Sequence, residues 1–94
     1  MIYQAEVFVS LKPVVNDPEG ITIQRGLHSL GFDSVTEVRS GKYLRLTLSA
    51  TDAAQARERV DRMARELLAN AVIEEYRIAI EAIAEPVGSG DRRA

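Results

Sequence analysis

Leu11-Lys12-Pro13-Val14-Val15-Asn16-Asp17-Pro18-Glu19-Gly20 is where this chain passes from one kind of backbone to another. Proline has no amide to give to a sheet, so Lys12-Pro13 ends the strand that precedes it. Asp17 then offers a side-chain acceptor to the free amides of a helix's first turn. Pro18 takes the first helical position, where a missing amide costs nothing. The passage predicts a strand before residue 12 and a helix from Pro18.

Upstream, Tyr3, Ala5, Val7, Val9 and Leu11 alternate with Gln4, Glu6 and Ser10, the period of a half-buried strand. Downstream, Ile23, Leu27 and Leu30, spaced four and three apart, predict a buried helical stripe, which Gly31 ends in the left-handed conformation. Gly20 and Gly26 weaken that helix by about 1 kcal/mol each relative to alanine, so close packing against a neighbouring backbone is expected there.

Val35 to Arg39 and Lys42 to Ser49 read as two strands joined by a short turn at Ser40-Gly41, with Leu44, Leu46 and Leu48 facing the core. Asp52 with Gln55 opens a second helix, whose core side is expected to hold Ala53, Ala56, Val60, Met63 and Leu67. Glu58 with Arg62 and Asp61 with Arg65 are acid-first pairs on its outer side. Asn70 is expected to end the helix in the left-handed region. A last strand, from Val72 to about Ala82, places Tyr76, Ile78 and Ile80 opposite Arg77 and Glu81.

The order is β-α-β-β-α-β. It predicts an α+β domain of the ferredoxin-like kind, an antiparallel sheet with two helices on one face, over residues 1–84. Residues 85–94, rich in glycine and charge, are expected to form a disordered tail.

Composition narrows the function. Of 94 residues, 46% are apolar and 28% charged, as in an ordinary globular domain, and a chain of this length has a thin core. The absence of cysteine excludes disulfides, thiolate metal sites and a cysteine nucleophile. A formal charge of −2 argues against nucleic-acid binding, which draws its affinity from a basic surface, and the sheet is not expected to carry a basic aromatic face. No membrane span or leader is read in the sequence, so the expected location is cytoplasmic.

Candidate chemistry is sparse. His28 is the sole histidine and has no co-ligand, so it reads as a surface residue. Gly41-Lys42-Tyr43 lacks the rest of a phosphate-binding loop. Glu74 and Glu75 fall on opposite faces of a strand and cannot act as a pair. The residues describe a domain without an active site.

Five passages give the chain a resemblance that no single one of them carries. They are Leu11-Lys12-Pro13, Asp17-Pro18-Glu19-Gly20, Leu30-Gly31-Phe32, Val38-Arg39-Ser40-Gly41-Lys42, and Leu67 through Tyr76. In this order and spacing they resemble the PurS family, the small subunit of phosphoribosylformylglycinamidine synthase. One departure is Ala71, where the family commonly has proline.

The resemblance implies a non-catalytic subunit of a purine-biosynthetic ligase complex. One partner, a glutaminase, frees ammonia; the other, a synthetase, uses ATP and Mg, and this chain binds no cofactor itself. It also implies a bridge between these partners that assists ammonia transfer, and a homodimer or tetramer. Lys12, Asp17, Arg39, Lys42 and Asn70 are the partner-binding residues it singles out. The alternative is a stand-alone ligand-binding regulatory domain of the amino-acid-sensing type, which shares the layout.

Overall fold

The computed structural model describes residues 1–83, so the expected tail lies outside the described residues. Strand β1 (Ile2–Leu11) is followed by helix α1 (Pro18–Ser29) and strand β2 (Gly41–Ser49). Helix α2 (Ala53–Met63) runs into a π-helical turn, Ala64–Leu68, before strand β3 (Glu74–Ile83). The sheet is antiparallel, in the order β2-β1-β3. This is an α+β architecture related to the ferredoxin-like fold, with the order β-α-β-α-β.

Register explains the two faces. Val7 lies opposite Leu44 and Ile78, and Phe8 lies opposite Tyr43 and Arg77. Tyr3, Ala5, Val7 and Val9 therefore line the covered face, where all four are buried. Helix α2 crosses that face over β1 and β3 and inserts Ala56, Val60 and Ala64. The largest fully buried side chains are Val7 and Val60, so the helix sits close to the sheet on small residues.

Four expectations change. Residues 35–39 are not a strand, and Ser40-Gly41 is not a reverse turn: the segment pairs with no strand among the described residues and enters β2 directly. Ser40 donates its amide to Asp17 Oδ2 at 2.7 Å, which holds the chain open there instead of folding it back. Gly41 has no positive φ; its hydrogen side lies against Val9 O, which a Cβ would overlap.

Helix α1 does not bury Ile23 and Leu30, which are 41% and 75% exposed. It makes no substantial contact with any strand or with α2. Its tether is the reason: Gly20 packs on Val38 O and Asp17 holds Ser40, so the helix is fastened to the segment before β2 and not to the sheet.

In α2 the π turn inserts a residue and rotates the buried stripe. Ala64 and Ala69 are buried, whereas Met63 and Leu67 are exposed. The ion pairs are Asp61–Arg65 and Arg62–Glu66; Glu58 is not part of either, because Arg62 turns toward the C-terminal side.

Asn70 has no positive φ. It closes the turn by accepting from Val72 N through Oδ1 and giving its own amide to Glu74 Oε1, and β3 accordingly starts at Glu74.

Candidate functional site

At one end of the sheet, β1 finishes and both β2 and β3 begin. The five candidate residues, far apart in sequence, meet around this end. A cleft of about 380 Å³ opens there, lined by Val9, Leu11, Asp17, Glu19, Lys42 and Glu74 among others.

Asp17 is the centre of the arrangement and is only 3% exposed. As the helix cap, its Oδ1 accepts from Gly20 N at 3.0 Å, and its Oδ2 accepts the Ser40 amide. These two backbone donors, in that order, hold its carboxyl below the usual carboxylate value, with the positive charge of Arg39 adding to the effect. Ser40 turns its hydroxyl to Glu19 Oε1 at 2.8 Å.

The remaining candidates also hold backbone. Arg39 donates through Nη2 to the carbonyls of Lys12 and Val15, both at 2.9 Å, and so fixes the loop after β1. Lys12 gives its amide to Ile73 O, and its ammonium has no hydrogen-bond partner among the described residues. Lys42 reaches from β2 to Leu68 O at 2.9 Å and caps the π turn. The structure thus joins Lys12 with Arg39 and Asp17 with Ser40, while Lys42 and Asn70 secure the far side of the cleft.

Sequence reading had no signal for Ser40 and Glu19 as partners, because their link spans 21 residues and joins the first turn of α1 to the segment before β2. It also missed the open face of the sheet, which does carry aromatic and basic groups. Arg77 stacks over Phe8, its guanidinium carbon 4.3 Å from the ring centre, and Phe8 packs against Tyr43 at 5.2 Å. Tyr43 donates to Glu6 Oε2 at 2.6 Å, which raises its pKa above the usual tyrosine value. Glu6, Glu75 and Glu81 share this face with Arg45 and Arg77.

His28 is exposed, away from the cleft, with its ring Nε2 2.8 Å from Val35 O. Among the described residues no group of three or more histidines, cysteines or acids is placed to hold a metal ion, and no helix is long and apolar enough to cross a membrane. What the arrangement can do is fix the relative positions of three strand ends, a loop and a helix.

Residues 4–82 match the model of PurS, phosphoribosylformylglycinamidine (FGAM) synthase. The chain belongs to the PurS family. It is 48% identical over 81 residues to the phosphoribosylformylglycinamidine synthase subunit PurS of Synechocystis, covering 86% of this chain and 81% of that one. Identity to the PurS subunit of Bacillus subtilis is 43% over 82 residues, covering 87% and 96%. A crystal structure of B. subtilis PurS superposes with a TM-score of 0.77 over 85% of this chain and 99% of that one, at 44% identity. The structure of PurLQS from Thermotoga maritima contains a chain that matches with a TM-score of 0.80 at 32% identity, over 86% and 99%. These PurS relatives are synthase subunits, and nothing in them favours the ligand-sensing alternative.

Proposed function

We propose that this chain is the small, non-catalytic subunit of a phosphoribosylformylglycinamidine synthase in cytoplasmic purine biosynthesis, and that it bridges a glutaminase subunit and an ATP-dependent synthetase subunit. Membership of the PurS family, together with the match to a chain of PurLQS, carries this reading. The geometry agrees with it: Asp17, Arg39 and Lys42 at the sheet end are engaged in holding backbone, while exposed apolar residues are spread over several surfaces, with Val14, Leu30, Leu67 and Val72 among the most open.

A bridge has a chemical purpose. Ammonia freed into water at neutral pH is largely protonated and loses the lone pair with which it attacks. A subunit that keeps the two active sites in register shortens the path and excludes water from it. The same reading includes self-association through strands, as a homodimer or tetramer, since two sheet edges are open. It needs no cofactor on this chain; ATP and Mg belong to the synthetase.

The test is amidation of formylglycinamide ribonucleotide by the two partner subunits, with and without this chain, using glutamine or added ammonia as nitrogen donor. Loss of the glutamine-dependent rate alone, on omitting the chain, is the expected result. Equal rates with and without the chain would overturn the reading.

A further inference from the structure

Helix α2 has two ways to continue beyond Ala64, and the chain uses one of them. Ala56, Val60 and Ala64, spaced four apart, form its buried stripe. At about 100° per residue, an unbroken α-helix would next bring position 67 into that stripe, between Ala56 and Val60 in projection, and would turn position 69 roughly 180° away from Val60. The structure has the reverse. Ala69 donates its amide to Ala64 O at 2.9 Å, and this wider turn buries Ala69 and leaves Leu67 82% exposed.

The π turn thus leaves the larger apolar side chain in water and puts the smaller one inside. Leu67 in the stripe would withdraw more apolar surface than Ala69 does. What favours the observed turn lies mostly outside the core. Lys42 reaches across from β2 to Leu68 O, Asn70 gives its amide to Glu74 Oε1, and Val72 gives its amide to Asn70 Oδ1. All three bonds are exposed, where water competes for the same groups. Leu68 adds partial burial against the cluster of Val7, Val9 and Ala64.

We infer that the end of α2 is a two-register switch pinned by Lys42. In the second register residues 64–70 are α-helical, Leu67 enters the place that Ala69 leaves, and Leu68 moves to the edge of the stripe. Residues 71–73 then connect the helix to Glu74, a connection of ordinary length. Lys42 and Glu74 both lose their partners in this change. They line the same cleft and carry opposite charge, so each can take the other.

The switch couples two places on the surface. A group that draws the Lys42 ammonium away from Leu68 O favours the second register and withdraws Leu67 from the exterior. By the same linkage, anything that holds Leu67 outside keeps Lys42 on the turn. The coupling belongs to this chain alone and does not depend on the bridging role.

The chain has no cysteine, so single thiols report the register directly. Cysteine buries as a small apolar residue and suits both positions. In Leu67→Cys the thiol is expected to react promptly with a maleimide, and in Ala69→Cys slowly. Adding Lys42→Met to each is expected to move the two in opposite directions, with labelling at position 69 faster by about tenfold or more and labelling at position 67 slower by about half.

Fraying of the turn would quicken both reactions, and a single fixed register would leave both unchanged; either result overturns the switch. Where a thiol at the buried position 69 prevents folding, NMR of Lys42→Met alone decides. Cross-peaks between the Leu67 methyls and Val9 are expected, with helical Cα shifts through Asn70, and their absence overturns the inference.

Discussion

The Asp17 carboxylate accepts the backbone amide of Ser40 at 2.7 Å, across 23 residues of sequence. A helix cap and the entry to a strand are thereby made by one side chain. Replacing Asp17 with alanine removes the cap and leaves the Ser40 amide without its partner. The expected outcome is a fall in Tm of roughly 5 to 15 °C, measured by circular dichroism.

The same carboxyl predicts an acid limb. Its folded pKa lies below the ordinary value of 3.8 because the Gly20 and Ser40 amides favour the anion. A group depressed in this way contributes stability that is present above the unfolded value and lost as pH falls through the folded value. The difference in urea midpoint between the wild type and Asp17→Asn is therefore expected to hold from pH 7 to about 5 and to shrink below about 4.

Two glycines in α1 are predicted to respond in opposite directions. A Cβ on Gly20 would overlap Val38 O, whereas one on Gly26 meets nothing within 4 Å. Gly26→Ala should stabilise the chain by about 0.5 to 1 kcal/mol through helix propensity. Gly20→Ala should destabilise it by about 1 to 3 kcal/mol through forced displacement of the backbone. Chemical denaturation of the two variants side by side checks both signs.

Tyr76 donates to Asp61 Oδ1 at 2.5 Å, and this bond raises the phenol's pKa above the ordinary 10.0. The sign is the reverse of the Asp17 case: the contribution is present below the unfolded value and lost as pH rises through the folded one. Tyr76→Phe is expected to cost about 1 kcal/mol at neutral pH. Its deficit relative to wild type should narrow above about pH 10, as urea titrations at pH 7 and above can show.

Lys42 caps the carbonyl of Leu68 at the end of the π turn. In Lys42→Met the amides of Ala64 to Ala69 are expected to exchange faster with deuterium, while those of β1 stay protected. Uniform acceleration throughout the chain would mean that the bond supports the whole fold and not this turn.

How far these features were legible follows from their range. The alternation through β1 and the Asp17-Pro18 helix start are local, and both stand in the structure as read. Only their spacing points to burial of Ile23 and Leu30. Spacing shows that a helix has an apolar stripe and leaves open whether its own sheet is there to receive it. Residues 35–39 have a strand's alternation, but a strand exists only where it is paired, and among the described residues this segment has no strand partner.

At the candidate site, the five residues singled out from sequence gather at one end of the sheet, but nothing in the sequence points to the bonds they make there. Arg39 and Lys42 read as free charges, yet both bind carbonyls more than twenty residues away. Bonds of that range leave no mark in a local pattern. The π turn was illegible for a related reason: one extra residue in a helix changes which side chains are buried without changing their spacing in the sequence.

Apart from Tyr3, the buried apolar residues are Ala5, Ala50, Ala56, Ala64 and Ala69 around Val7, Val9 and Val60. Side chains this short have few rotamers to lose, so ordering them costs little conformational entropy. They also withdraw little oily surface from water, and the driving force for folding is correspondingly small. Such an interior has little margin, and a helix this near a sheet leaves little volume into which a larger residue could grow. Room for substitutions that strengthen the protein is therefore on the exterior, where they do not reopen its centre.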